Sequence, residues 1–403
     1  MGIAVAAPLM DTAPVIASCG AVTALGLGLE PLEHALQSNA SGLRADPRFA
    51  GRHHQSEVAG YVPEPVFDEL RASIPSHADA PAFLLAESAL RQAELGAGDW
   101  LRTVPPGRRG LVLSTTKADV AALERLVKGH PCSAPARRHV LPGLLAADLA
   151  QARGLSGLVE CVSVACVSGL LALQQGAGWI QRGSVDAVFV VGVDLVSDFV
   201  MSGFTTLKSL DPEGCRPFDR TRTGLSLGEG AGAILLTRPT LAPSATLSIA
   251  GWGSSNDANH LTGPSRDGSG LALAIRRALE SAATTPEAID YVNAHGTGTP
   301  YNDAMEALAL PSVFGEAVPP FSSSKGLLGH TLGAAGVLET IVCVIAAARG
   351  LLPGTPRLRE RDPAVPAAVL AEPRAGAIPR RMLKINAGFG GTNAALVLAR
   401  KQP

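Results

Sequence analysis

Short apolar runs alternate with stretches of helical spacing along most of this chain. Val15–Ser18 predicts a buried strand, and Pro31–Gln37 part of a helix behind a glycine-rich loop. Residues 39–80 are polar and irregular and read as loop, with the neighbours His53 and His54 in solvent rather than chelating an ion. Phe83–Leu95 has apolar residues at helical spacing. Arg109–Ser114 predicts a strand, Asp119–Val127 a helix, and Pro131–Val140 a loop.

From residue 155 the rhythm becomes regular. Leu158–Val164 predicts a strand, Val167–Gln181 a helix of small and apolar residues ended by Arg182-Gly183, and Ala187–Val193 a strand apolar on both faces. Strands buried on both faces belong to sheets covered by helices, so the fold class is α/β. A second region repeats the pattern: strand Ile289–Ala294, helix His330–Ala348 ended by Arg349-Gly350, then Lys384–Asn386, a glycine-rich turn and strand Ala394–Ala399. Each region places a reactive residue type, Cys166 or His330, before a small-residue helix, which points to an internal duplication. The halves divide near Pro239–Pro243, into 1–240 and 241–403. Both helices are too apolar to face water, so the halves share one body.

Composition narrows the classes. The chain has 403 residues, 46% hydrophobic and 17% charged, with a net charge of −1, which suits a large buried core and excludes disorder as the main state. Near-neutral charge and 4% aromatics argue against nucleic-acid binding. Six dispersed cysteines with no C-x-x-C pair fit a reduced, cytoplasmic protein. The N-terminus lacks a basic n-region, and Gly2 is followed by Ala6 where myristoylation wants Ser or Thr. The uncharged run Thr12–Leu29 is broken by Pro14, Gly20, Gly26 and Gly28, so strand and turns are expected there and no membrane insertion.

Four segments carry candidate chemistry. Cys166 in VSVACVSGLL follows a strand and begins a helix, where free N–H groups and the helix dipole lower a thiol pKa to about 3.5–7.5; taken alone it better suits a small buried hydrophobe, as most free cysteines are. His295 in YVNAHGTGTPYND stands at a strand end, an acid–base or donor position or a solvated turn. In SSSKGLLGHTLGAAGVLET, Lys325 and His330 flank a glycine turn, with Glu339 as a charge partner; a helix start favours neutral His330, and a surface lysine with a capping histidine is the plainer reading. Gly326, Gly329, Gly333 and Gly336 indicate tight packing there. INAGFGGTNAA supplies a sharply turning backbone but leads into a strand, unlike a phosphate cradle.

Taken together, in this order, the segments resemble the β-ketoacyl-acyl-carrier-protein synthases, type II ketosynthases of the thiolase superfamily. RPFDRTRTGLSLGEGAGAILL, DANHLTGPS and VIASCGAVTALG extend the likeness over nearly the whole chain. The resemblance implies a thiolase-like fold, two βαβαβ halves in a five-layered α-β-α-β-α body. It implies a catalytic set of Cys166, His295 and His330 supported by Lys325 and Glu339. Backbone N–H groups of Cys166 and Phe389 would form an oxyanion hole. Phe389 would gate a pocket with Thr297, Thr299 and Gly390, and Lys208 would meet acyl carrier protein. The implied reaction is decarboxylative Claisen condensation of an acyl group on Cys166 with malonyl-carrier protein. Thiolate suits it as both nucleophile and leaving group. No metal or bound cofactor is implied; the carrier protein brings the phosphopantetheine arm. The implied assembly is a homodimer, or a heterodimer with a chain-length-factor relative.

Departures bear on the substrate. LSTTKAD at 113–119 replaces the glycine-rich turn of fatty-acid members, and Ala387 replaces a phenylalanine, so the acyl pocket differs. LSTTKAD, DLVSDFVMSGF and TPYNDAMEA look closer to aryl-polyene and related pigment synthases. Four alternatives stand against an active synthase. A non-catalytic chain-length-factor partner usually lacks the cysteine. A Cys-His-Asn thiolase would lack His330. A cysteine hydrolase would not need Lys325 and two histidines. A nucleotide-binding module would need a G-x-G-x-x-G unit or P-loop, and neither occurs. Arg125, Lys128, Arg137, Arg138 and His139 read as a solvated face rather than part of a carrier-protein docking patch, Cys161 as a core thiol, and His260 matches a family position without an evident role.

Overall fold

The computed structural model describes residues 13–401; the reading of the extreme N-terminus, with Gly2 and Ala6, lies outside them. The apolar runs form ten strands of one mixed sheet: β1 Val15–Thr23, β2 Arg109–Ser114, β3 Val159–Val162, β4 Ala187–Asp194, β5 Gly230–Thr237, β6 Leu247–Asn256, β7 Tyr291–Asn293, β8 Phe321–Ser322, β9 Arg381–Ala387 and β10 Thr392–Arg400. A two-residue strand, Gly26–Leu27, pairs with β1. The order is β8-β7-β9-β10-β6-β1-β5-β4-β2-β3. Counted outward from the middle, each set of five runs first, fifth, fourth, second, third. The pairing repeats too, antiparallel for the inner strands and parallel for the outer three. A single residue pair, Val15 with Ser248, joins the two sets.

Helices cover and separate these strands. Six matter here: α1 Pro81–Ala97, α2 Ser168–Gln181, α3 Asp198–Thr206, α4 Ser269–Ser281, α5 Pro300–Phe314 and α6 Ala335–Arg349. Helix α1 lies on β1, β4 and β5, α4 lies on β6 and β10, and α2 and α6 each touch strands of both sets. Three apolar clusters follow from this: one outside the first set, one in the middle around α2 and α6, and one outside the second set. The result is the five-layered thiolase-like body. Leu332–Arg349 is long and apolar enough to span a membrane, but 83% of its most apolar window is buried, and it forms the central layer.

Several expectations change. Residues 39–80 contain a ten-residue helix, Glu64–Ser73, which buries only Phe67 and Leu70, so its apolar periodicity is faint. The 131–140 loop holds the short helix Ala134–Arg138. His54 is packed on Phe49 and faces Asp198 at 3.5 Å rather than solvent. His139 is buried, stacked on Phe83 and bonded to Asp148 at 3.0 Å, so the basic run is not a uniform solvated face. Cys161 is half-buried against the first cluster.

Candidate active site

The outer strands of each set run parallel, so their C-terminal ends open on one edge, and the loops that leave them carry the candidate residues. Cys166 lies between β3 and α2, two residues before the helix, in a turn where Ala165 takes φ +45°. Ser168 stiffens that elbow: its Oγ accepts from Val164 N at 2.7 Å and donates to Ala165 O at 2.6 Å. The thiol is 6% exposed. Burial pushes it up to about 11; Lys325, the Phe389 N–H and Lys117 pull it back only in part. The low thiol pKa expected from the helix start is therefore not what this site produces, because desolvation outweighs the dipole. Resting Cys166 is a thiol.

The glycine-rich turn after β9 meets this elbow. A Cβ on Gly388 would lie 3.3 Å from Cys166 N, a tight contact that glycine avoids as the two backbones approach. The Phe389 N–H faces the Cys166 sulfur. The Phe389 ring stacks on Phe204 of α3 at 5.9 Å between centroids, and Gly390 N donates to Leu261 O at 2.8 Å. Lys208 lies exposed just beyond α3.

His295 follows β7 and is held from beneath by α5. Glu306 accepts the N–H of His295 at 2.7 Å and of Gly296 at 2.6 Å, and Asp303 accepts those of Thr297 and Gly298. The hydroxyls of Thr297 and Thr299 lie 2.8 Å apart, and Thr299 caps α5. Neither Glu306 nor Asp303 stood out in the sequence, although both fall in the quoted YNDAMEA stretch. Burial and Asp303 raise Glu306 to about 7.

His330 sits on a short bridge to Leu227 rather than in a helix; a 3₁₀ turn begins at Leu332 and α6 only at Ala335. Its N–H donates to Ser226 O at 2.7 Å, and its Nδ1 accepts from Leu332 N at 3.2 Å. Nδ1 being an acceptor, the proton of the neutral ring is on Nε2. Burial, then Lys325, lower His330 to about 3, and the same causes carry His295 well below its ordinary value. The two rings meet edge to face, 5.2 Å between centroids at 83°.

Behind them lies a buried charge cluster. Lys325 Nζ reaches Glu339 Oε1 at 2.6 Å, His295 O at 2.5 Å and His295 Nδ1 at 3.2 Å. Lys384 Nζ adds a second contact to Glu339, Oε2 at 2.8 Å. Burial alone would raise Glu339, but the two lysines bring it down to about 2. Lys384 and Asn386 were read only as the lead into a glycine-rich turn; a lysine inside the apolar run MLKIN is the signal that marks a buried charge. Asp194, at the end of β4, also went unnoticed. It accepts from Thr115 Oγ1 at 3.0 Å, Thr116 N at 3.1 Å and Gly333 N at 2.6 Å, tying the two halves together beside His330.

The arrangement offers a shielded sulfur, backbone N–H groups beside it and two neutral imidazoles. That set suits acyl transfer through a thioester with oxyanion and enolate stabilisation. No group of three or more His, Cys, Asp or Glu placed to hold a metal occurs among the described residues.

Comparison with known proteins agrees. Residues 14–242 match the family model described as "Beta-ketoacyl synthase, N-terminal domain", and 247–359 match its C-terminal counterpart. The mitochondrial 3-oxoacyl-[acyl-carrier-protein] synthase of Arabidopsis thaliana is 31% identical, over 96% of this chain and 92% of its own. The ketoacyl synthase alpha subunit of the tetracenomycin polyketide synthase of Streptomyces glaucescens is 30% identical, over 96% of both chains. A structure titled as the ishigamide ketosynthase/chain length factor superposes with a TM-score of 0.88 and 31% identity, covering 97% of this chain and 100% of that one.

Proposed function

This chain belongs to the β-ketoacyl synthase family, and from that premise we propose how its residues carry out the condensation and for which pathway. The enzyme is an acyltransferase that joins an acyl group to malonyl-acyl-carrier protein and releases 3-oxoacyl-carrier protein. The Cys166 sulfur attacks the thioester carbonyl of the acyl donor, and the carrier thiol leaves with the proton. Malonyl-carrier protein then loses carbon dioxide: the carbon–carbon bond breaks, and its electron pair moves onto the thioester as an enolate. His295 and His330 donate Nε2–H to that enolate, and its carbon attacks the acyl-Cys166 carbonyl. The N–H groups of Cys166 and Phe389 hold the tetrahedral oxyanion until the sulfur departs as thiolate and takes a proton from solvent, restoring the resting thiol. Losing one such donor typically costs about 10²–10³ in rate. Phe389, with Gly390, Thr297 and Thr299, gates the pocket, and Lys208 receives the acidic carrier.

One observation carries this assignment: a buried thiol facing the Phe389 N–H and lying in the field of Lys325, which also contacts His295, one of two buried imidazoles held neutral and packed edge to face. The phosphopantetheine arm of the carrier is the mobile group. The partner is a second ketosynthase-like chain, a copy or a chain-length-factor relative, and the dimer surface is the outer strand β3, where Leu158 and Val159 are exposed. The two halves divide near residue 240. LSTTKAD and Ala387 favour a polyketide or aryl-polyene substrate over an ordinary fatty acid, in the cytoplasm. Against the non-catalytic partner reading stands a chain that keeps Cys166, His295 and His330.

The test is intact-protein mass spectrometry with peptide mapping after incubation with a panel of acyl-carrier proteins. An adduct on Cys166 is expected, and the best-loaded chain names the substrate. Absence of any adduct, alone and with the partner subunit added, would leave the catalytic assignment without a nucleophile.

A further inference from the structure

We propose that Asn386, backed by Lys384, is a positioning residue that fixes His295 as the Nε2-protonated tautomer. The inference rests on the condensation reading above, since Nε2–H is the group that reading uses. Asn386 is fully buried at the end of β9. Its Nδ2 lies 2.9 Å from His295 Nδ1 and 3.1 Å from Glu339 Oε2. Glu339 is ionised between two lysines and can only accept, so the Asn386 atom facing it must be the NH₂ group. The same nitrogen faces His295 Nδ1, which must then be an acceptor with no proton. The proton of a neutral ring is left on Nε2.

Amide orientation is thus dictated by Glu339, and Glu339 by Lys384. Lys384 Nζ also donates to Ile385 O at 2.7 Å, so it is anchored to the strand that carries Asn386. The Asn386 Oδ1 has no partner among the described residues, which agrees with an amide oriented by its nitrogen. Lys325 also reaches Nδ1, but at 3.2 Å and while serving Glu339 and His295 O. Asn386 is the closer donor, and it brings no charge. The other groups facing this ring are His330 at its edge, Lys384 through the field it exerts, and Glu306 on its backbone N–H.

The experiment compares wild type, Asn386→Ala, Asn386→Ser and Lys384→Met, each checked by thermal melting. One readout is the ¹⁵N spectrum of histidine-labelled protein, with His295 assigned from His295→Phe. The other is a pair of half-reactions, acyl loading of Cys166 and decarboxylation of malonyl-carrier protein. Wild type should show His295 protonated at Nε2. Asn386→Ala should show both tautomers; its decarboxylation should fall about tenfold or more, short of the ~10⁴ that a wrong tautomer costs in a Ser-His-Asp triad, with loading down less than about threefold. Asn386→Ser keeps a donor and should recover part of the loss, and Lys384→Met should act in the same direction more weakly. An Nδ1–H signal in wild type overturns the proposal whatever the variants do. So does an unchanged tautomer in Asn386→Ala with both half-reactions falling equally, or the same result in Lys384→Met should the alanine variant not fold. A wild type that shows the Nε2–H signal yet never decarboxylates malonyl-carrier protein sinks the condensation reading and leaves the positioning role standing.

Discussion

Gly169 of α2 and Gly336 of α6 touch backbone to backbone: a Cβ on Gly169 would fall 2.8 Å from the Gly336 Cα, and one on Gly336 2.3 Å from Leu170 N. This contact sets the spacing between the helix that follows Cys166 and the helix that follows His330. Alanine normally stabilises a helix relative to glycine by about 0.5–1 kcal/mol. Here overpacking, at roughly 1–3 kcal/mol, outweighs that gain. Gly336→Ala should lower the melting temperature by several degrees and condensation by more than acyl loading. A variant that melts higher and condenses normally would show that the helices can part freely.

Cys166→Ala removes the sulfur and little else, since Ser168 and the Ala165 turn hold the elbow without it. The variant should melt within a few degrees of wild type and take up no acyl group by mass. Acyl transfer at the normal rate would move the nucleophile elsewhere.

Acid should unfold the protein before it charges the site. The folded pKa of His330 is about 3, below the ordinary 6.5, and that of His295 is also lowered. Between those values the unfolded chain binds protons that the folded rings refuse, so stability falls as pH drops through this window. Glu339, depressed from 4.5 to about 2, has the same sign at lower pH. Glu306 and Asp119 oppose them: their folded values are raised to about 7 and about 6, so their contributions are lost as pH rises toward those values, and buried Asp194, Glu229 and Asp303, also raised, have the same sign. Wild type should lose urea midpoint relative to His330→Phe between about pH 6 and about pH 4, while its single-turnover decarboxylation stays flat across about pH 8 to 5. A rate that halves near the ordinary histidine value contradicts the neutral-ring assignment.

Glu339→Gln leaves Lys325 and Lys384 buried around a neutral amide. Breaking a buried pair by removing one partner costs about 3–5 kcal/mol. Urea unfolding should report a loss of that size, and Glu339→Gln with Lys384→Met should recover part of it. A loss below about 1 kcal/mol would mean that water reaches the cluster.

Lys208 tests docking apart from chemistry. Lys208→Glu should raise KM for carrier-bound substrate, by an amount that shrinks with added salt, and leave kcat within about twofold. Equal loss with a small pantetheine thioester would place the residue in the chemistry instead.

What could be read in advance follows from what each signal depends on. Ala187–Val193 and Arg109–Ser114 are buried on both faces, and their composition alone marks strands. Cys166, His295 and His330 stand in glycine-rich contexts that betray close backbone approach. Asn386 and Glu306 act through neighbours 91 and 11 residues away in sequence, and no local pattern records such pairs. The thiol pKa went the other way from expectation because a helix start is visible in sequence while depth below the surface is not. The start of α6 was placed five residues early because Thr331–Ala334 are apolar or small yet adopt a 3₁₀ turn, with Leu332 at φ +51°.

The repeated strand order has an evolutionary reading. The loop after the third strand carries Cys166 in one repeat and Lys325 with His330 in the other; the loop after the second strand carries Thr115 and Thr116 in one and His295 in the other. On the condensation proposed above, matching stations would take up complementary trades: electrophile capture in the first copy, electron-pair stabilisation in the second. Neither copy would then hold a complete set, so a frame with a doubled strand order would work only as an inseparable whole. Divergence in one copy is then answerable to the other across the seam, which is where the ancestral likeness between the two should have eroded most in residue type and least in shape.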